Sequence, residues 1–328
     1  VANGTVINDG LQFVEKDGQA QRTVVLEGGV QQVAGSAVHT VVGNGGEQHV
    51  QASGTATTTI INNGGTQSVD GTSISAVVND GGHQLVERGG YARNTTVNNG
   101  GVQYVSAGGS SSDGVIFGGG IQQVSGTASG TSINDGGSQQ VQVGGQSRDA
   151  QINNRGTQAV DGTAISAVVK EGGTQIVNKG GLAKDTQVNS GGLQHVSLGG
   201  ASADAHLFGG TQQLAGNAGG TIIGDGGVQH VKTGGSASGS LINAGGLQRV
   251  DGTAKDTTIN DKGIQLVNSG GLADNTAVHS GGLQYIAQGG AASEGTVFGG
   301  GIQQVSGMAS GTSVNDGGSQ QVQVTGKA

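Results

Sequence analysis

Cysteine, proline and tryptophan are absent from all 328 residues, and aromatic side chains make up only 2% of the chain. Without cysteine there can be no disulfide, no thiolate metal site and no cysteine nucleophile. Such a chain also suits passage through an oxidising compartment, where stray thiols would cross-link. Charge is scarce as well. Fourteen basic and 22 acidic residues leave a net −8, the wrong sign for a nucleic-acid surface. No apolar run approaches the ~20 residues of a membrane-spanning helix. Apolar residues amount to 32%, too few for a compact globular core in a chain of this length. Disordered chains share that poverty but are usually rich in proline and charge. Here both are low, so something other than a globular core must order the chain.

What the chain has in abundance is glycine, 71 residues, arranged in a repeat of the form GG-x-Q-x-V. Its glutamines are Gln12, 31, 48, 67, 84, 103, 122, 139, 158, 175, 194, 212, 229, 248, 265, 284, 303 and 320, spaced by 17 or 19 residues with a single 18. Two residues after each Gln stands Val, except for Leu214 and Ile286. The residues between and beside them vary freely: Phe13, Gln32, His49, Ser68, Leu85, Tyr104. Fixed and free positions that alternate with period two define a β-strand with the fixed side inward. A second column, Val42, Ile61, Val78, Val97, Ile133, Ile152, is preceded at two residues by Thr40, Thr59, Ala76, Thr95, Thr131 and predicts a second strand. A third column is small: Ala56, Ala92, Ser111, Ala128, Ala164, Ala183. Gly-Gly, Asn-Asp-Gly and Asn-Asn-Gly between strands supply corners with positive φ.

Every unit runs in the same direction with the same inward residues, which excludes hairpins and predicts an all-β, right-handed parallel β-helix. It would have about 18 coils of 17–19 residues, each with three short strands. At ~3.3 Å per residue a coil has a perimeter of roughly 60 Å, and stacking at ~4.8 Å makes a rod roughly 80–90 Å long. The narrow interior accounts for the low apolar content. The Gln column shares the inward parity of Val. Buried amides at strand spacing must bond to one another up and down the stack. The Asn column (Asn62, Asn79, Asn98, Asn134, Asn153, Asn189, Asn243, Asn260, Asn315) is expected to do likewise at a corner, or to cap its own turn. Five coils form a longer period of 90 or 91 residues: VDGT recurs at Val69, Val160 and Val250, and Phe117–Gly145 returns at Phe298–Gly326. Phe117, Phe208 and Phe298, and Tyr104, His195 and Tyr285, follow it as outward residues.

Catalytic and metal patterns fail on spacing. The GGxGxDxUx motif of calcium-binding β-rolls does not occur. Asp70, Asp161 and Asp251 share a column but lie five coils apart, about 24 Å, too far to act on one bond; they are expected to be solvated surface charges. His49, His195 and His230 share an outward column, with the nearest two about 10 Å apart, too far for a common metal. The Gly-Gly pairs are not phosphate loops, since no helix and no Lys-Ser/Thr follows. These residues therefore point to no catalytic group, cofactor or metal.

Eighteen units in phase, such as GGLQHVSLGGAS from Gly191 and GGTQIVNKGGLAKDTQVN from Gly173, resemble the passenger repeats of self-associating autotransporter adhesins of Gram-negative bacteria. These include the diffuse-adherence adhesin, TibA and antigen-43 types, and the likeness leans to TibA. The resemblance implies one β-helix passenger segment over residues 1–328, cut from a longer precursor whose signal peptide and C-terminal translocator barrel lie outside it. It implies display on the extracellular side of the bacterial outer membrane, homotypic association between cells, biofilm formation and attachment to host-cell surfaces. It also implies O-linked heptose on passenger serines, added by a cytoplasmic heptosyltransferase. Serines at turns are the acceptor candidates: Ser190, Ser269 and Ser280 before Gly-Gly, and Ser129, Ser238 and Ser310 after the small inward residue. Two other readings of the same repeats are a passive spacer and a polysaccharide-processing β-helix enzyme.

Overall fold

A computed structural model describes all 328 residues and contains strands and turns but no helix. Contacts divide the chain into two compact units, Val1–Ile165 and Ser166–Ala328. Each is a parallel β-solenoid whose coils carry three strands.

In the first unit, a representative coil comprises a four-residue strand (Thr66–Val69), a three-residue strand (Thr72–Ile74) and a two-residue strand (Val77–Val78). Each strand pairs in parallel with its equivalent one coil away. Gln67 lies opposite Gln84 and Val69 opposite Val86, and Ile61 lies opposite Val78. Alternation decides which side chains enter. Gln67, Val69, Ser73 and Val78 are fully buried, while Thr66, Ser68 and Val77 face outward and are half-buried. Each fully buried Val or Ile contributes roughly 1.5–3 kcal/mol relative to exposure. The second unit repeats the plan with Val228–Val231, Ser236–Ser238 and Leu241–Ile242, and Gln229 lies opposite Gln248.

The Gln column forms the expected ladder. Gln48 donates to the Oε1 of Gln31, Gln67 to Gln48 and Gln84 to Gln67, each at 2.7 Å. The structure adds a partner that the periodicity did not show. Thr59 donates to Gln48 at 3.0 Å, Ser73 to Gln67 at 3.0 Å and Thr95 to Gln84 at 3.1 Å. These hydroxyls and amides make a polar seam, which is how so polar an interior satisfies its hydrogen bonds. Thr59 and Thr95 also lie just outside the second apolar strand, which is two residues long rather than reaching back to them. The Asn column behaves as expected in part. Asn79 donates to Asn62 at 2.9 Å, Asn98 to Asn79 at 2.8 Å and, in the second unit, Asn260 to Asn243 at 2.9 Å. Asn189 instead closes a three-residue strand.

Corner geometry explains the two repeat lengths. A 19-residue coil carries a four-residue turn after its longest strand, as at Gln51–Gly54. A 17-residue coil replaces it with two residues, as at Asp70–Gly71, whose N–H groups both donate to the carbonyl of Val50, at 2.8 and 3.0 Å. A side chain at Gly71 would sit 2.2 Å from the Gln51 carbonyl oxygen and 2.4 Å from that of Gly54. The short corner therefore admits glycine alone. Between the three-residue and two-residue strands, the chain turns on a single left-handed residue. There Thr58, Ser75, Asn94 and Asp113 have φ of 53–55°. Sequence reasoning placed positive φ at Gly and Asn-Gly turns and missed this corner, where Asp and Asn recur but Thr and Ser are also accepted.

Candidate functional surface

With the interior filled by the polar seam and the apolar columns, function rests on the outward positions and the corners. The six serine candidates fall on three different corners. Ser129, Ser238 and Ser310 end three-residue strands, each just before a left-handed glycine, Gly130, Gly239 and Gly311. Ser280 lies on the corner after the two-residue strand and Ser190 on the same corner, where the strand is lengthened to Gln187–Asn189, while Ser269 lies on the four-residue turn after the longest strand. Ser190, Ser238, Ser269, Ser280 and Ser310 are exposed. Ser129 is half-buried, with its hydroxyl 3.5 Å from the carbonyl oxygen of Ser111.

The periodic aromatics stand where the Asn column would continue, so that Phe117 interrupts the run Asn62, Asn79, Asn98. Phe117 and Phe208 are 40% and 50% exposed. Phe298 is half-buried and stacks on His279 with ring centroids 4.7 Å apart and planes 2° apart. Tyr104, His195 and Tyr285 are half-buried on the longest strands, and the Tyr285 hydroxyl lies 3.3 Å from that of Ser306.

The acidic column is less uniform than solvated charge would be. Asp70 is exposed, but Asp161 and Asp251 are half-buried. Asp251 accepts from Asn268 at 2.6 Å and pairs with the His230 imidazole. Burial pushes its carboxyl up, yet the hydrogen bonds from His230 and Asn268 and the charges of His230 and Arg249 outweigh this and hold it below the usual carboxylate value. Expecting Asp251 to be plainly solvated is thus corrected: it ties neighbouring coils together. His49 lies 3.0 Å from Glu47. No group of three or more His, Cys, Asp or Glu side chains is placed to hold a metal. A cleft of about 370 Å³, lined by Lys16, Asp17, Gly35, Ser36 and Ser53, opens at the short corner of Ala34–Gly35. Another of about 260 Å³, lined by Gly289, Ser306 and Met308, opens at that of Ser306–Gly307.

Among solved structures, the chain is similar to the TibC-catalysed, hyper-glycosylated TibA55-350 fragment. The two are 37% identical with a TM-score of 0.67, over 89% of this chain and 99% of that one. The chain belongs to the TibA-type autotransporter adhesin passengers. Consistently, residues 87–137 match the AIDA family, described as the adhesin of the bacterial autotransporter system, probable stalk. Comparison with curated proteins finds no match. A likeness to the A-module of the mannuronan C-5 epimerase AlgE4 from Azotobacter vinelandii, at 11% identity and a TM-score of 0.27, is too slight to bear on function. As a TibA-type passenger the chain has an adhesin role, and its candidate surface is the set of repeated outward columns and corners.

Proposed function

We propose that residues 1–328 form one passenger segment, displayed on the extracellular side of the outer membrane, that joins cells by homotypic contact, promotes biofilm and attaches to host-cell surfaces. The observation that carries this reading is membership of the TibA-type passengers over 89% of the chain. Its physical basis is repetition. The same outward Ser, Thr, Asn and Gln positions recur coil after coil, so many weak contacts can act together and strength comes from multiplicity. The reading treats the chain as non-enzymatic.

Glycosylation is part of the proposal. The TibA relative is hyper-glycosylated by TibC, and by analogy a cytoplasmic heptosyltransferase would place heptose on this chain. Ser190, Ser238, Ser269, Ser280 and Ser310 are the favoured acceptors, because their hydroxyls are exposed at corners. Ser129 is less accessible. Cells displaying the segment through a translocator should clump and settle, and cells displaying the translocator alone should not. If long and short versions of the segment settle no faster than that control, the segment is a passive spacer. Intact-mass measurement of protein from its native host should show increments of one heptose, and a bare polypeptide mass would end the glycoprotein reading.

A further inference from the structure

The two-residue strands of the first unit present an uninterrupted outward apolar ribbon, as the longest strands of the second unit do with Val228, Leu247, Ile264, Leu283 and Ile302; the first is singled out by the charges at its edges. Its outward residues are Val6, Val24, Val41, Ile60 and Val77, each paired directly with the next. Ile60 is 39% exposed, and Val24, Val41 and Val77 are half-buried. In the second unit the same column reads Val168, Gln187, His206, Ile222, Leu241, Thr258, Ala277, Thr296 and Ser313, where polar residues break the apolar run. Uninterrupted apolar rows on an outer sheet face mark contact surfaces.

The ribbon's two edges differ in charge. The left-handed corner carries exposed Arg22 and His39, and the opposite turn carries exposed Asp9, Glu27 and Asp80. We propose that this ribbon is a self-contact through which two copies of the chain on the same surface pair side by side, pointing the same way. The direction follows from the charges. Turning one copy about a two-fold axis along the stacking direction lays each coil against the same coil of its mate. Arg22 then meets Glu27 of the second copy, twice over, and valine meets valine. The antiparallel alternative centres on Val41 and sets Asp9 against Asp80 in both places, which is repulsive. Only the parallel arrangement is closed, self-complementary and charge-matched.

Five strands at ~4.8 Å make a ribbon roughly 19 Å long, a few hundred Å² per copy. Stable complexes bury about 800 Å² per partner. The pairing is therefore weak between free chains and needs the effective concentration, of millimolar order, that a shared surface provides. It rests on the surface display proposed above and is separate from contact between cells.

The absence of cysteine allows a direct test with the full chain displayed at high density. Packed sheets lie about 10 Å apart, whereas a disulfide needs Cα atoms within about 7 Å, so a short bis-maleimide is the suitable linker. Val77→Cys should cross-link to itself on the order of tenfold faster than Thr66→Cys on the longest-strand face. Adding Val41→Lys, an outward change that leaves the fold intact by circular dichroism, should remove the difference. Equal rates for Val77→Cys and Thr66→Cys would overturn the ribbon. Faster linkage in a mixture of Val6→Cys and Val77→Cys than in Val77→Cys alone would overturn the parallel direction. Clumping of the same cells is scored in parallel. Clumping without cross-linking removes the ribbon and leaves the adhesin reading, and cross-linking without clumping does the reverse.

Discussion

Replacing Gln229 with Leu tests the polar seam at one of its most connected points. Gln229 is fully buried. Its amide donates to the Oε1 of Gln212 at 2.7 Å and to the hydroxyl of Thr221 at 3.0 Å. Its Oε1 accepts from Gln248 at 2.7 Å and from Ser240 at 3.1 Å. Leucine fits the volume but makes none of these bonds. It leaves the Gln212 oxygen, the Gln248 amide and the Ser240 hydroxyl short of a partner, and each such orphan costs about 1–3 kcal/mol. The added apolar burial returns a part of that, for a net loss of about 2–5 kcal/mol. A second substitution sharpens the test. In Gln229→Leu with Gln248→Leu, the bond between those two residues disappears from both sides at once. The ladder then still ends on only one orphaned oxygen, at Gln212, and one orphaned amide, at Gln265. The double variant should therefore cost about 1–3 kcal/mol less than the sum of the single ones. Urea unfolding by circular dichroism, with amide exchange over Val228–Val231 to localise the loss, is the appropriate pair of measurements for a repeat array. Strict additivity, or a neutral Gln229→Leu, would refute the ladder as a stabilising element.

Other outcomes follow from the corners and the acidic column. Gly71→Ala should destabilise by about 1–3 kcal/mol or more, because the new methyl meets two backbone carbonyls of the preceding coil; an unchanged melting temperature would show that the short corner has slack. Thr58→Asn should stabilise by about 0.5–1 kcal/mol in thermal melts, since a β-branched residue at φ 54° is strained where Asn is tolerated; destabilisation would mean that the 2.7 Å bond from its hydroxyl to the Thr57 carbonyl outweighs the strain. Asp251 is held below its ordinary pKa, so the folded state binds fewer protons there than the unfolded state; its stabilisation is present above the unfolded carboxylate value and is lost as pH falls through the folded one. Asp251→Asn should flatten the acid limb of a stability-versus-pH curve, and an unaltered limb would deny the His230–Asp251–Asn268 contact that role.

Most of the fold is legible in the sequence because the repeat turns one-dimensional periodicity into three-dimensional stacking. Gln67, Val69 and Val78 announce their burial by recurring at fixed phase. The hydroxyl of Thr59 does not, since periodicity shows that it faces inward but not that it reaches the Gln48 oxygen. The left-handed corner was hidden for a different reason. Thr58, Ser75, Asn94 and Asp113 share a backbone conformation rather than a side-chain chemistry, and strand pattern carries no trace of φ. The candidate surface was the least legible part. Asp251 looks like Asp70 in sequence, each with a histidine 21 residues before it, but His49 lies against Glu47 whereas His230 reaches Asp251, and Asn268 stands where Glu87 follows Asp70. The ribbon from Val6 to Val77 was equally hidden, because outward positions vary and an apolar run among them breaks no rule of the repeat.

The short corner at Asp70–Gly71 also bears on how such a chain can change length. The two-residue difference between coils is absorbed outside the ladders, so Gln67 still meets both Gln48 and Gln84 in register. Copying or losing a whole coil of either kind would therefore rejoin like columns, adding or removing one strand spacing of about 4.8 Å with no compensating change elsewhere. Loss of a single residue inside a strand would instead send Gln and Val to the outside. The gene is thus free to drift in steps of entire coils, or by a residue or two at a corner as in the 18-residue coil from Gln194 to Gln212, and is held tightly against any change inside a strand.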